Sequence, residues 1–385
     1  MTRKHKRLPA TAACRTLPCT MTSLGLPASI GPAPAPNFFG MSRDRFRHHV
    51  QGLGVPAFRA EQVYSWVYQK HVRDPLGMTN LPLEFREALP GICDLDLPET
   101  ASVHKSPDGN THKFVFRLAD GARVEAVSMR TPKRLTFCIS SQVGCALKCS
   151  FCATGLMGLK RNLKAHEIVA QVVGMGEFHG WQDDRFNIVF MGMGEPLANE
   201  PAVWGAIERL HHDIGISARH LTVSTVGIVP GIRTLATRPL PVNLAVSMHA
   251  ARNDLRDELV PINKRYPIED LIEACRDYLK VRNRRISFEW ALIAGVNDTA
   301  RDASELAKLT TKLRPSAHVN LIPLNPTPGF PTRGTDAQGV RRFAKRLQDL
   351  GVNATVRRNR GTDIDAACGQ LAAGQPVVLT VRRNV

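Results

Sequence analysis

From about residue 135 onward the chain repeats one pattern, a short apolar, β-branched run followed by a helical stretch, and this alternation limits the fold more than any other feature. The strand candidates are TFCIS (136–140), NIVFMGM (187–193), HLTVST (220–225), VNLAVSMH (242–249), ISFEWALI (286–293) and HVNLIPL (318–324). Between most of them apolar residues recur at three- and four-residue spacing, as on one face of a helix. A helical crossover returns the chain to the same end of the sheet, so the strands pair in parallel. Six such units predict an α/β fold, a partial (β/α)6 barrel of the TIM-like kind, over residues 135–350. In such barrels the working residues stand at the C-terminal strand ends, which here run into GCALKC, GEP, TVG, HAA and NPTPG.

Ahead of the barrel the pattern is helical. MSRDRFRHHVQGLG and RAEQVYSWVYQKHV predict a small helical accessory domain over 39–95, with Val63, Trp66 and Val67 as core. HKFVFRLADGARVEAVSMR holds two alternating runs joined through Asp120-Gly121, a β-hairpin that bridges the domains over 96–134. Residues 16–42 carry no charge, but Pro18, Pro27, Pro32, Pro34 and Pro36 interrupt them, so no membrane-spanning helix is expected there. Residues 1–38 read as a disordered leader or a misassigned start, with Met21 or Met41 as the true beginning; the acid-poor composition also fits a transit peptide, and ATAAC around Cys14 faintly resembles a lipoprotein cleavage site. Cys14 and Cys19 are set aside with it. The last segment, 351–385, contains VRRNRGTDIDAACGQL and places Cys368 in a loop near the barrel's end.

Of the 385 residues 43% are apolar and 22% charged, which excludes wholesale disorder and fibrous architectures. Lysine and arginine (51) exceed aspartate and glutamate (34), a net +17, and six of the basic residues precede Asp44, so +11 belongs to the rest. An excess of this sign favours a polyanionic partner, of which nucleic acid is the commonest, over a basic enzyme indifferent to RNA. The basic residues of the helical domain, with Arg357, Arg358, Arg360, Arg382 and Arg383, are expected to hold RNA phosphates. Nine cysteines without the even pattern of a secreted scaffold point to reduced thiols and a cytoplasmic location.

Three of those cysteines carry the strongest chemical signal. Cys145-x3-Cys149-x2-Cys152 follows the first barrel strand. Structural zinc wants a fourth ligand, and the nearby candidates, His166 and His179, fall on a helix directed elsewhere. Three thiolates suit a 4Fe–4S cluster whose fourth iron stays open to a substrate or cofactor.

With that triad the chain resembles the radical S-adenosylmethionine superfamily. CISSQVGCALKCSFCATG, MGMGEPLAN, VNLAVSMHA, VPINKRYPI, NLIPLNPTPG and TDIDAACGQL are similar to its adenosine methyltransferase branch, the RlmN family, over residues 39–373. The resemblance implies that Cys145, Cys149 and Cys152 ligate the cluster, that Phe151 shields it, and that Gly194 and Glu195 hold the methionine end of S-adenosylmethionine. It assigns Ser224, Ser247, Met248, His249 and Asn325 to the rest of that cofactor. On residue type alone each would be a satisfied strand-end group, and Met248 simply core.

Carbon 2 of adenine is electron-poor and cannot attack a sulfonium methyl as a nucleophile. The resemblance implies a detour. One S-adenosylmethionine methylates Cys368, a second yields a 5′-deoxyadenosyl radical that takes hydrogen from the S-methyl group, and the resulting methylene radical adds to the ring. Glu125 is then the base that removes the ring proton, and Cys138 the thiol that releases the product by forming a disulfide with Cys368. Without the resemblance, Cys138 reads as a buried strand cysteine and Glu125 as a solvated carboxylate; Cys93 and Cys275 are taken as structural. The implied partners are 23S rRNA at the peptidyl-transferase centre, tRNA in some members, and an electron donor such as flavodoxin with its reductase. Two alternatives stay open: a resistance-conferring sibling that methylates carbon 8, and an iron–sulfur RNA-binding protein without turnover.

Overall fold

Ser42 accepts a hydrogen bond from the Arg45 amide (3.3 Å) and so starts the first helix of the chain, α1 (Arg43–Gly52). In the computed structural model residues 35–181, 186–282, 284–313, 315, 317–327 and 330–372 are described. The expected leader before residue 35, and with it Cys14 and Cys19, lies outside them, as do Arg382 and Arg383. The chain divides into two units, Met1–Leu95 and Asp96–Val385.

In the first unit α1, α2 (Ala57–Tyr64) and α3 (Leu83–Ile92) enclose an aromatic core. The Phe38 ring lies 4.9 Å from Tyr64 and 5.0 Å from Phe46, the latter edge-to-face, a geometry that suits ring quadrupoles. The chain is anchored as it enters, because Phe38 N–H donates to the Asp94 carbonyl (2.8 Å) and Asp94 N–H to that of Pro36 (3.0 Å). Val63 and Val67 are buried as expected, but Trp66 is only half-buried. Its indole donates to Asn80 (2.5 Å) and its face receives Lys70 Nζ at 3.7 Å.

The second unit is built on a ten-stranded sheet. Four antiparallel strands come first: β1 (Glu99–Lys105), β2 (Thr111–Arg117), β3 (Arg123–Thr131) and β4 (Arg134–Cys138). A small pair, β5 (Gln142–Gly144) with β6 (Leu159–Asn162), stands apart. The parallel strands are β7 (Phe186–Phe190), β8 (Leu221–Thr225), β9 (Asn243–Ser247), β10 (Ile286–Leu292), β11 (Ala317–Pro323) and β12 (Ala354–Val356). Their order is β1-β2-β3-β4-β7-β8-β9-β10-β11-β12, so the sheet stays open. β4 is the junction: Cys138 pairs antiparallel with Val127 on one side and parallel with Val189 on the other.

All six expected barrel strands are present, and the hairpin turns at Asp120-Gly121, where Leu118 N–H meets the Ala122 carbonyl (2.8 Å). The NIVFMGM strand ends at Phe190, although Gly192 N–H still donates to the Ile139 carbonyl (3.0 Å), so close that a Cβ there would sit 2.8 Å from that oxygen. β12 is a further parallel strand, beyond the six expected. The crossovers carry α4 (Ala153–Leu156), α5 (Ala165–Phe178), α6 (Glu200–His212), α7 (Val229–Thr237), α8 (Asn253–Leu259), α9 (Ile268–Arg282), α10 (Ala300–Thr311) and α11 (Ala337–Asp349). Among the described residues no helix is long and apolar enough to cross a membrane.

Candidate active site

The cysteine loop leaves β4, pairs briefly through β5 and is held at both ends. Cys145 N–H donates to the Gly158 carbonyl (3.0 Å), Ser150 N–H to that of Leu259 on α8 (3.2 Å), and Ala153 N–H to that of Gly369 (2.8 Å). Gly144 has a left-handed φ of 79°, and a Cβ there would lie 1.9 Å from the Gly158 carbonyl, so only glycine closes this loop. Cys145, Cys149 and Cys152 are free thiols near enough to act on one another electrically. Burial pushes Cys145 up to about 12 and Cys149 well above the usual thiol range. Among the described residues no three His, Cys, Asp or Glu side chains converge on one ion-sized point. His179 is engaged elsewhere, 2.8 Å from Ser128 Oγ.

Beside Cys149 and Cys152 opens a cavity of two adjoining lobes, about 160 Å³ and about 350 Å³. The smaller lobe collects strand ends: Gly194 and Glu195 after β7, Ser224 at the end of β8, Ser247 and His249 at and after β9, and Asn325 after β11. Glu195 is buried, and its carboxylate accepts the Val226 (3.0 Å) and Leu197 (3.1 Å) amides. Burial outweighs these bonds and lifts it to about 7. His249 Nδ1 accepts from Ala291 N–H (3.0 Å), which leaves Nε2 to carry the proton of the neutral ring. Met248 does not line the cavity: its side chain is fully buried, and its carbonyl accepts from Arg256 (3.1 Å).

The larger lobe is closed by the segment around Cys368, which belongs to no helix or strand of the sheet. Thr154 Oγ1 donates to the Leu371 carbonyl (2.6 Å), Asn325 Nδ2 to that of Cys368 (3.1 Å) and Gln370 Nε2 to that of Pro326 (2.9 Å). Cys368 is exposed and lines both lobes. Cys138 lines the larger one, and the two thiols feel each other's charge. Burial pushes both up, Cys138 to about 12, while Arg357 pulls each back toward the thiolate. The disulfide implied for this pair is not formed: both are free thiols.

Besides Met248, two placements add to the sequence reading. Arg357, expected among the RNA-holding residues, lines both lobes and donates to Glu289 Oε2 (3.2 Å). β12 delivers it there, and Glu289, a buried carboxylate inside the apolar strand ISFEWAL, receives Asn320 Nδ2 (2.8 Å) on its other oxygen. That one acidic residue in an otherwise apolar run was the available signal. Glu125, by contrast, lines neither lobe. It is buried on β3, where Oε2 accepts the Ala372 amide (2.9 Å) and Oε1 lies 3.6 Å from Lys113 Nζ.

Residues 36–95 match the family described as Ribosomal RNA large subunit methyltransferase N-terminal domain, and residues 139–309 match the Radical SAM superfamily. A protein of Parafrankia sp. (strain EAN1pec), described as "Probable dual-specificity RNA methyltransferase RlmN", is 48% identical over 361 residues, covering 89% of this chain and 93% of its own. A protein of the same description from Dictyoglomus thermophilum is 43% identical over 340 residues, covering 88% and 97%. The crystal structure of a radical SAM methyltransferase from Sphaerobacter thermophilus superposes with a TM-score of 0.84 at 46% identity, covering 88% of this chain and 99% of that one. Identity near one half, sustained along most of both chains and accompanied by the same backbone course, leaves one conclusion: the chain belongs to the RlmN family of radical SAM methyltransferases.

Proposed function

We propose that the protein methylates carbon 2 of an adenosine in 23S rRNA, at the peptidyl-transferase centre, and an adenosine of tRNA, with Cys368 carrying the new carbon. The placement of Cys368 carries this reading: a thiol on a tethered segment that faces both lobes, with the cluster-loop Cys152 and a second thiol, Cys138, on the same walls. Three thiols, one buried and two half-buried, all raised by desolvation, stay ionised only beside concentrated positive charge, so the donor set fits a 4Fe–4S cluster held by Cys145, Cys149 and Cys152, one iron each. When bound, the cluster and two S-adenosylmethionine molecules per turnover supply a transferable methyl group and a hydrogen-abstracting organic radical, with electrons from a donor such as flavodoxin and its reductase.

The chain's own residues do the rest. Glu195 and the Gly194 turn hold the cofactor's ammonium end, and Ser224, Ser247, His249 and Asn325 line the lobe for the remainder. Cys368 loses its thiol proton, takes the methyl group on Sγ and presents that carbon to an unstacked base in the larger lobe. With one hydrogen atom removed from it the carbon bonds to the ring, and the adduct then gives up the ring proton and its unpaired electron, the latter to the electron-transfer chain. Cys138 attacks Cys368 Sγ, the sulfur–carbon bond breaks, the freed carbon takes a proton to become the methyl group, and a disulfide remains that needs two electrons and two protons before the next turnover. Glu125 is the base for the ring proton, which requires it to exchange its bond to Ala372 for the substrate. The protein works in the cytoplasm.

Mass analysis of adenosine from rRNA incubated with the protein tests this reading, with the Cys368→Ala and Cys138→Ala variants alongside. Cys368→Ala should give no product, and Cys138→Ala should accumulate protein joined to RNA through Cys368 on a denaturing gel. Methylation at carbon 8 would favour the sibling activity. Turnover by Cys368→Ala would exclude the carrier.

A further inference from the structure

Arg256 is wholly buried on α8, the helix whose Leu259 carbonyl holds the cysteine loop by the Ser150 amide. Its guanidinium donates to the carbonyls of Val226 (2.5 Å), Met248 (3.1 Å) and Ser247 (3.3 Å) and to Oδ1 of Asn263 (2.9 Å). Every one of these acceptors is neutral. Among the described residues no carboxylate lies within ion-pair distance of Arg256, and a buried charge without a counter-charge is costly. Cys149 packs in one apolar cluster with Leu255 and Leu259 of the same helix, and the acidic groups near enough to act on Arg256 are the Cys149 thiol, that of Cys275 and the carboxyl of Asp257. Asp257 is tied to Asn263 Nδ2 (2.7 Å), and Cys275 is a buried thiol pushed up to about 12, which leaves Cys149 as the buried anion that cluster binding would create.

We infer that Arg256 is a positioning residue for electron transfer, a buried cation whose missing counter-ion is the cluster and its Cys149 thiolate, and which makes one-electron reduction of that cluster easier. The inference rests on the cluster assignment above. Three thiolates leave the assembly negative, and the incoming electron from the low-potential donor makes it more so with no bond made or broken; a fixed positive charge alongside favours the reduced form. Three of these four hydrogen bonds also fix the ends of β8 and β9, so charge and scaffold must be told apart experimentally.

Anaerobically reconstituted full-length chains should be titrated with mediators while the reduced fraction is followed by electron paramagnetic resonance and iron is counted. In Arg256→Gln the ratio of reduced to oxidised cluster at a fixed potential should fall on the order of tenfold, a shift of about 59 mV to lower potential for one electron. Arg256→Lys, which keeps the charge and loses the fork, should stay near the unaltered protein. Asn263→Asp, which gives the guanidinium a carboxylate instead, should shift in the same direction as Arg256→Gln. An unmoved potential at full iron in Arg256→Gln or in Asn263→Asp overturns the inference, and so does a Lys variant as low as the Gln variant. If the Gln variant takes up no iron, Asn263→Asp decides alone; if neither takes up iron, the residue serves assembly and the inferred effect on reduction falls. Failure of the unaltered protein to take up four irons would instead remove the cluster reading itself.

Discussion

His249 takes a left-handed backbone (φ 57°) just past β9, with its ring enclosed against Phe151 at 4.7 Å between centroids. Burial, helped by the charge on Arg256, drives its pKa down to about 3. The unfolded chain protonates this imidazole near its ordinary 6.5, whereas the native chain resists down to about 3, so the unfolded state binds more protons in that window. Stability is therefore undiminished above the ordinary value and falls as pH drops through the window, by at most about 1.4 kcal/mol per pH unit. His249→Asn tolerates the backbone and does not titrate there. Its stability deficit relative to the unaltered protein should shrink as thermal melts are taken from about pH 7.5 to about 4.5, and a deficit independent of pH would exclude this account. Such a residue is opaque in sequence, where a lone histidine after a strand looks like any satisfied polar group. Arg357 misleads in the opposite way: VRRNR reads as a solvated basic run, because nothing local shows that a three-residue strand turns its exit into the cavity.

The GMGEP turn shows how an element end builds chemistry. Gly194 has φ 99°, and a Cβ there would meet Gln142 Cβ at 2.5 Å and its amide nitrogen at 2.8 Å, while Gln142 Oε1 accepts the Glu195 amide (2.8 Å). Gly215 also has positive φ (86°), yet a Cβ there would meet nothing within 4 Å. Alanine at 215 should cost about 1 kcal/mol of backbone strain, and alanine at 194 about 3 kcal/mol or more through added crowding. Urea unfolding of the two variants measures the difference, and equal losses would show that the turn tolerates a side chain. The six long barrel strands were legible because buried parallel strands are nearly continuous apolar runs. β12 was not, since its three residues carry too little pattern, and β1 was not, since most of its residues are exposed and so impose no alternation.

At the scale of the whole chain, a net charge of +17 predicts RNA binding that is electrostatic in origin. Affinity for an rRNA fragment should fall on the order of a hundredfold between about 50 and about 200 mM salt, and a flat response in a filter-binding titration would point to a substrate other than nucleic acid. Charge alone could not map the contact surface. Arg43 and Arg47 both pair with Glu61, Arg238 with Glu200, and Arg161 with Asp120 and Glu167, so several basic residues that look free in the sequence serve the fold. The cavity, in turn, is assembled from positions between Met129 and Leu371, a separation that only the six recurring motifs bridged. The tether of Cys368 has a further consequence in time. A chain is made from its N-terminus, and its domains fold as they emerge. Glu125, Thr154 and Asn325 are therefore made before the segment they fasten, and the unit they share with it is finished only when that segment arrives. A polypeptide interrupted after β12 would own every strand of the sheet and the three loop cysteines, but neither Cys368 nor the Gly369 carbonyl that holds the loop at Ala153. The enzyme is armed last.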